Sequence, residues 1–148
     1  MTPSRWFIHP IRIHNPSGLP YAYRVDLSLF EMLFMNLLSN AFKYNHSTAP
    51  WVDITFETRG RELHIRFEDK GIGLQRAETK RIFREFYRVA TLEDTSAKGS
   101  GVGLFLVDSI ARLHKGRIMA ESKGRGEGSV FSVILPLNPS ATTQGAEA

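Results

Sequence analysis

The 148-residue sequence predicts an α+β fold, a mixed but mostly antiparallel sheet with its helices gathered on one face. Three observations carry this reading. Residues 26–45 are apolar at nearly every position from Leu27 to Phe42, as in a helix buried on most sides. Residues 52–57 and 63–68 alternate strictly between apolar and polar, as in two strands with one buried face. A further helical segment then leads into two more short strand-like runs around a glycine-rich turn.

In chain order, Ile11-Arg12-Ile13 and Tyr21-Ala22-Tyr23-Arg24-Val25 alternate on either side of the turn signal Asn15-Pro16-Ser17-Gly18, which predicts a pair of strands. Asp26 and Ser28 offer N-caps for the long helix, and Asn45, Ser47 and Pro50 mark its end. The strands at 52–57 and 63–68 join through the Arg59-Gly60 turn as a hairpin. Asp69-Lys70-Gly71-Ile72-Gly73 is a tight turn that two glycines permit. Residues 75–89 have helical character, with Ile82, Phe83, Phe86 and Tyr87 as apolar contacts. Residues 90–101 read as a polar, mobile loop. A helix is predicted over 102–114, with Leu104, Val107, Ile110, Ala111 and Leu113 inward and Gly116 placed to cap it. Strands at 117–122 and 129–135 flank Gly124-Arg125-Gly126-Glu127-Gly128. The chain thus divides into an N-terminal extension (1–25), one domain (26–137) and a disordered tail (138–148).

Composition excludes several kinds of chemistry. Cysteine is absent, which removes disulfides, thiolate metal sites and cysteine nucleophiles. Neither a membrane-length apolar run nor a signal core at the N-terminus is present, so a soluble chain is expected. The net charge of +4 is too modest to imply nucleic-acid binding, but residues 70–98 hold seven basic against four acidic side chains. That segment is either a solvated charged surface or a positive cover for an anionic ligand.

Polar residues inside the long helix locate a candidate site. Asn36, Asn40 and Lys43 fall within about 40° of one another on one helix face. Two asparagines alone suit a buried hydrogen-bond network, whereas a lysine one turn on favours an anionic or metal-bound ligand. Gly99-Ser100-Gly101-Val102-Gly103-Leu104 stands where a loop enters a helix, an arrangement that brings backbone N–H groups to a phosphate. It is neither a dinucleotide fingerprint nor a Walker loop. Asp69, at a strand end before a glycine turn, is either a turn cap or an acceptor for a base amino group.

Taken together, NLLSNAFKY, DKGIG, IFREFYR and GSGVGL resemble the N, G1, F and G2 boxes of the ATP-binding catalytic domain of sensor histidine kinases, within the gyrase, Hsp90, histidine kinase and MutL superfamily. The resemblance spans residues 26–136 and implies the Bergerat ATP-binding fold, a two-layer α/β sandwich. It implies ATP and Mg²⁺ as cofactors, with Asn40 as the metal ligand and Asn36 supporting it. Lys43 would meet phosphate and Tyr44 the ribose or phosphate edge. Asp69 would bind the adenine amino group, with Gly71 and Gly73 shaping the pocket wall. Gly99, Gly101 and Gly103 would carry a lid onto the triphosphate, with the Val102 and Leu104 amides as donors. Phe83, Phe86 and Tyr87 would anchor that lid, with Arg88 the candidate for phosphate or phosphoacceptor contact and Arg84 a weaker one.

Hydrolysing members of the superfamily carry glutamate where this chain has Asn36. An amide cannot take a proton from water at neutral pH, which favours transfer of the γ-phosphate to another nucleophile, here histidine. None of the five histidines (His9, His14, His46, His64, His114) stands in the family's phosphoacceptor context. The implied partners are therefore a separate dimerisation and phosphoacceptor domain and a downstream response regulator. Neither nucleic acid nor a membrane is an implied contact of this domain, whose implied location is cytoplasmic whether or not its parent is anchored. The other readings are an anti-sigma-factor-type serine kinase of the same fold and an ATP-sensing module without catalysis.

Overall fold

Asp26 starts the first helix. Its Oδ1 accepts the Leu29 N–H at 3.0 Å and its carbonyl accepts the Phe30 N–H at 2.9 Å, so the side chain caps α1 (Leu27–Lys43). The computed structural model describes residues 11–15, 24–43, 51–84 and 103–137, with Lys43 by its backbone alone. Around α1 run β1 (Ile11–His14), β2 (Val52–Arg59), β3 (Glu62–Asp69), α2 (Glu78–Arg81), α3 (Gly103–Leu113), β4 (Arg117–Glu121) and β5 (Ser129–Pro136).

The strands form one five-stranded sheet in the order β1-β2-β3-β5-β4. Only β1 pairs parallel, against β2; every other pairing is antiparallel. The strict alternation of β2 and β3 fixes their register, since a slip of one residue would turn the whole apolar set outward. Ile65 lies between Phe56 and Val133, and Phe67 between Ile54 and Phe131. This face meets Phe30, Leu33, Leu37 and Ala41 of α1 and Val107, Ile110 and Ala111 of α3 in one buried core. Phe34 of α1 stands edge-on to Phe67, with ring centroids 5.2 Å apart. The mixed sheet with helices on one face is the predicted architecture. Its other face carries ion pairs such as Arg117–Glu62 and Arg59–Glu57, which in water add little stability.

The two long helices run antiparallel, held by His114 at the end of α3. The Asp26 N–H donates to His114 Nε2 at 3.0 Å, while Nδ1 lies 2.9 Å from the Ile110 carbonyl. Those two partners together demand the neutral ring with its proton on Nδ1. Phe30 stacks edge-on against it, with centroids 4.7 Å apart.

Several expectations need correction. Leu113, expected inward, is exposed, and α1 is not buried on most sides, since Leu27, Met32 and Met35 face outward while Phe30, Leu33, Leu37 and Ala41 meet the core. Of the two expected N-terminal strands, β1 joins the sheet edge parallel to β2, Arg24 and Val25 are not strand, and residues 21–23 lie outside the described part. Alternation specifies a face, not a partner. The helix expected over 75–89 is a single turn, Glu78–Arg81, before residue 85, where the description stops. The left-handed residue that ends α3 is Lys115 (φ 62°), not Gly116. The Gly116 N–H bonds to the Ala111 carbonyl at 2.8 Å and the Lys115 N–H to that of Arg112 at 2.9 Å, a Schellman closure. Gly116 is needed for a different reason: a Cβ there would lie 2.3 Å from the Ile134 carbonyl oxygen. Lys115→Gly relieves the left-handed strain and is expected to stabilise the fold by about 0.5–1 kcal/mol in urea denaturation.

Candidate functional site

Asp69 ends β3 at the centre of the sheet, only 7 % exposed. Its Oδ1 accepts the Gly71 N–H at 2.7 Å and its Oδ2 the Ser129 hydroxyl at 2.9 Å. Asp69 and Ser129 are register partners on β3 and β5, so the sheet itself brings them together. Burial holds the carboxyl above the ordinary aspartate range, while the Gly71 N–H and the Ser129 groups pull it back. The result is a buried carboxylate that accepts from the Gly71 N–H and from both the hydroxyl and the backbone of Ser129, with lone-pair capacity left for a further donor.

The loop after Asp69 is clamped by the turn between β4 and β5. The Gly126 N–H reaches the Ile72 carbonyl at 2.6 Å and the Gly128 N–H the Gly71 carbonyl at 3.1 Å. Gly73 (φ 72°) and Gly128 (φ 73°) are required twice over. Besides the left-handed angle, a Cβ on Gly73 would lie 2.1 Å from the Gly124 carbonyl oxygen, and one on Gly128 2.3 Å from that of Asp69. Ser122 joins the two loops. Its Oγ accepts the Leu74 N–H at 3.0 Å and the Gly124 N–H at 3.1 Å, and donates to the Gly128 carbonyl at 2.6 Å. Ser122→Ala strips all three at once and is expected to cost roughly 2–3 kcal/mol of stability, read by urea denaturation.

On the helical side, α1 and α3 bring two predicted positions into contact. Asn36 donates its amide to the Met32 carbonyl at 2.7 Å, which turns its Oδ1 toward Gly103. A Cβ on Gly103 would lie 2.8 Å from that oxygen. Asn36 is thus seated against the first residue of α3, where the helix offers unpaired N–H groups. Asn40, one turn on, is half-buried, and among the described residues its amide has no hydrogen-bond partner. Leu104 lies in the first turn of α3 and packs against the core. Phe83 stands edge-on to Phe131 at 6.1 Å, joining the segment after α2 to the sheet. Arg84 is exposed beyond it. Tyr44, Phe86, Tyr87, Arg88, Gly99, Gly101 and Val102 lie outside the described residues, as do the side chain of Lys43 and the loop expected to be mobile.

Sequence reasoning missed Ser122 and Ser129. A single serine beside a glycine turn carries no periodic signal. Only the β3–β5 register, which sequence alone does not provide, puts Ser129 opposite Asp69.

Comparison with known proteins shows the family. Residues 25–139 match the family model described as "Histidine kinase-, DNA gyrase B-, and HSP90-like ATPase". The chain belongs to this family. The sensor-like histidine kinase SenX3 of Mycolicibacterium smegmatis is 33% identical over 138 residues, covering 92% of this chain and 35% of SenX3. The mycobacterial sensor histidine kinase MprB shares the fold at a TM-score of 0.76 and 21% identity, over 91% of this chain and 88% of that one. Full-length ShkA, solved in complex with AMPPNP, shares it at 0.73 and 21% identity, over 90% of this chain and 26% of ShkA. The chain therefore spans about a third of SenX3 and about a quarter of ShkA. It is a catalytic ATP-binding domain of the sensor histidine kinase superfamily, with the Bergerat architecture. No helix among the described residues is long and apolar enough to cross a membrane.

Proposed function

We propose that this domain belongs to a two-component sensor kinase and transfers the γ-phosphate of ATP to a histidine on a separate dimerisation and phosphoacceptor domain. A downstream response regulator would receive it next. The observation that carries this is the buried Asp69 carboxylate, oriented by Gly71 and Ser129 and kept dry by the clamped loop. Such a group accepts one specific N–H, that of the adenine amino group, at a strength an exposed carboxylate lacks.

The remaining roles follow from placement and resemblance. The Gly71 and Gly73 turn forms the wall beside the base. The first turn of α3, from Gly103 and Leu104 with Val102 before it, presents N–H groups and partial positive charge to the triphosphate. Gly99 and Gly101 let that loop approach, and Lys43, Tyr44 and Arg88 add contacts to phosphate and sugar. The half-buried oxygen of Asn40, without a hydrogen-bond partner among the described residues, suits a hard cation. Asn40 would hold Mg²⁺ through its amide oxygen, and the ion would supply positive charge to the phosphates. Asn36, tied to Met32 and Gly103, has no basic atom for activating water, which preserves the γ-phosphate for a nucleophile from outside.

That nucleophile is an imidazole nitrogen of the acceptor: it bonds to the γ-phosphorus as the bond to the β,γ-bridging oxygen breaks, and ADP leaves. Within this chain His14 pairs toward Asp53, His64 is buried on β3 and His114 closes α3, so the described histidines have structural tasks. The test supplies the chain with γ-labelled ATP, Mg²⁺ and a histidine-bearing dimerisation domain in trans. Acid-labile, base-stable label on that domain, with little release of free phosphate without it, is the expected result. Rapid phosphate release by the chain alone, or no nucleotide binding by the folded chain, would overturn the proposal.

A further inference from the structure

Arg125 and Glu78 belong to none of the family's four boxes, yet they meet across the back of the nucleotide loop. Arg125 Nη2 donates to Glu78 Oε2 at 2.7 Å, with the Glu78 side chain 8% exposed and that of Arg125 28%. The other oxygen of Glu78 accepts the Gln75 N–H at 2.8 Å. Glu78 thus grips the last residue of the loop that begins at Asp69, and Arg125 grips Glu78 from the β4–β5 turn.

Both neighbours of Arg125 are docked on the same loop. The Gly126 N–H is bonded to Ile72, and the Gly124 carbonyl fills the space a Cβ on Gly73 would need. The loop is therefore fastened along its length: at Asp69 and Gly71 by Ser129 and Gly128, in the middle by Gly124 and Gly126, at Leu74 by Ser122, and at its exit by the Gln75–Glu78–Arg125 chain. Among the described residues, the fastening at the exit is the ionic one.

That exit fastening is poorly designed for stability. Among the described residues, Arg125 Nε and Nη1 are buried with no hydrogen-bond partner, so the guanidinium is desolvated without full compensation. A buried ion pair in that condition contributes little net stability, and apolar side chains of similar volume would serve the fold as well. What the pair supplies is direction: the guanidinium holds the Glu78 carboxylate in the one orientation that keeps Oε1 on Gln75.

We propose that Arg125 and Glu78 are positioning residues that hold residues 69–75 in the shape in which Asp69 and Gly71 recognise the base. The proposal rests on the reading of Asp69 as the adenine acceptor. It gives the base, rather than the phosphates, as the part of the ligand whose binding depends on the pair.

The experiment compares wild type, Arg125→Ala, Arg125→Lys and Asp69→Asn, using adenosine by chemical-shift titration, ATP with Mg²⁺ by calorimetry, and thermal melting. Arg125→Ala is expected to weaken adenosine and ATP by the same factor, about tenfold, at a temperature where the variant is fully folded, although it also melts lower because Glu78 is left buried and unpaired. Arg125→Lys, which keeps a cation for Glu78, should recover most of that loss. Should Arg125→Ala fail to fold, Glu78→Gln carries the same comparison, since it keeps the shape and removes the charge. Wild-type affinity in Arg125→Ala, or a loss that merely follows melting and is not recovered by lysine, overturns the proposal. If Asp69→Asn loses adenosine while Arg125→Ala does not, the positioning role is wrong and the base reading stands. If folded wild type binds neither adenosine nor ATP, both fall together.

Discussion

Asp69→Asn is expected to weaken adenine-nucleotide binding by about 2–3 kcal/mol, roughly thirtyfold to a hundredfold or more, without harming the fold. The fold tolerates the change because asparagine keeps the shape of aspartate and can still engage the Gly71 N–H and the Ser129 hydroxyl, giving up at most the Ser129 backbone contact. Its Oδ1 can accept the Gly71 N–H, and its amide can donate to a rotated Ser129 hydroxyl. The ligand does not tolerate it, because the base amino group then faces a neutral amide in place of a charged acceptor. The pH dependence follows from the same burial. Desolvation raises the Asp69 pKa in the folded protein above its unfolded value. Its contribution to stability is therefore fullest at acid pH, below the unfolded value, and is lost as pH rises through the folded one. At neutral pH the ionised group is a cost, so Asp69→Asn should melt no lower than wild type. Nucleotide affinity has the opposite dependence: it should fall as pH drops through the raised pKa, beginning at a higher pH than for an exposed aspartate. Calorimetry across that range, with melting alongside, checks both. An Asp69→Asn protein that binds ATP as wild type does would remove the carboxylate from the site.

Much of this fold was legible because burial on one side of a sheet or helix leaves a period in the sequence. The β2–β3 hairpin was readable from Val52, Ile54 and Phe56 against Leu63, Ile65 and Phe67, and α1 from its long apolar run ended by polar and proline residues. The errors fall where structure depends on contacts rather than period. β1 alternates whatever its partner, so its place beside β2 could not be read from Ile11 and Ile13. The segment from Gln75 to Ala77 has helical composition, yet Leu74 is tied to Ser122 and Gln75 to Glu78, which delays the helix to Glu78. Lys115 takes the left-handed position because Gly116 is consumed by the close approach of Ile134. The site divides in the same way. Asp69 and the glycines around it announce themselves by type and spacing. Ser122, Ser129, Arg125 and Glu78 do not, because each acts across 47 or more residues through a partner that only the folded sheet supplies.

Asn40→Ala should act on a different part of the ligand, and the contrast with Asp69→Asn is the sharper test of the whole site. Asn40 is half-buried on α1, and among the described residues its amide has no partner to lose. Alanine is also the better helix former, so stability should change by less than about 1 kcal/mol. If its oxygen binds the Mg²⁺ that accompanies the triphosphate, the variant loses a metal ligand, with an expected drop of at least tenfold to a hundredfold in affinity for ATP in magnesium. In EDTA the metal plays no part, and Asn40→Ala should then bind ATP as wild type does. Asp69→Asn should instead be weakened equally with and without magnesium, because the base contact needs no metal. Calorimetric titration of the two variants under both conditions gives four affinities whose pattern separates the base subsite from the metal subsite. Undiminished affinity of Asn40→Ala in magnesium would take the metal from α1. An equal loss with and without magnesium would make Asn40 a direct contact of the nucleotide.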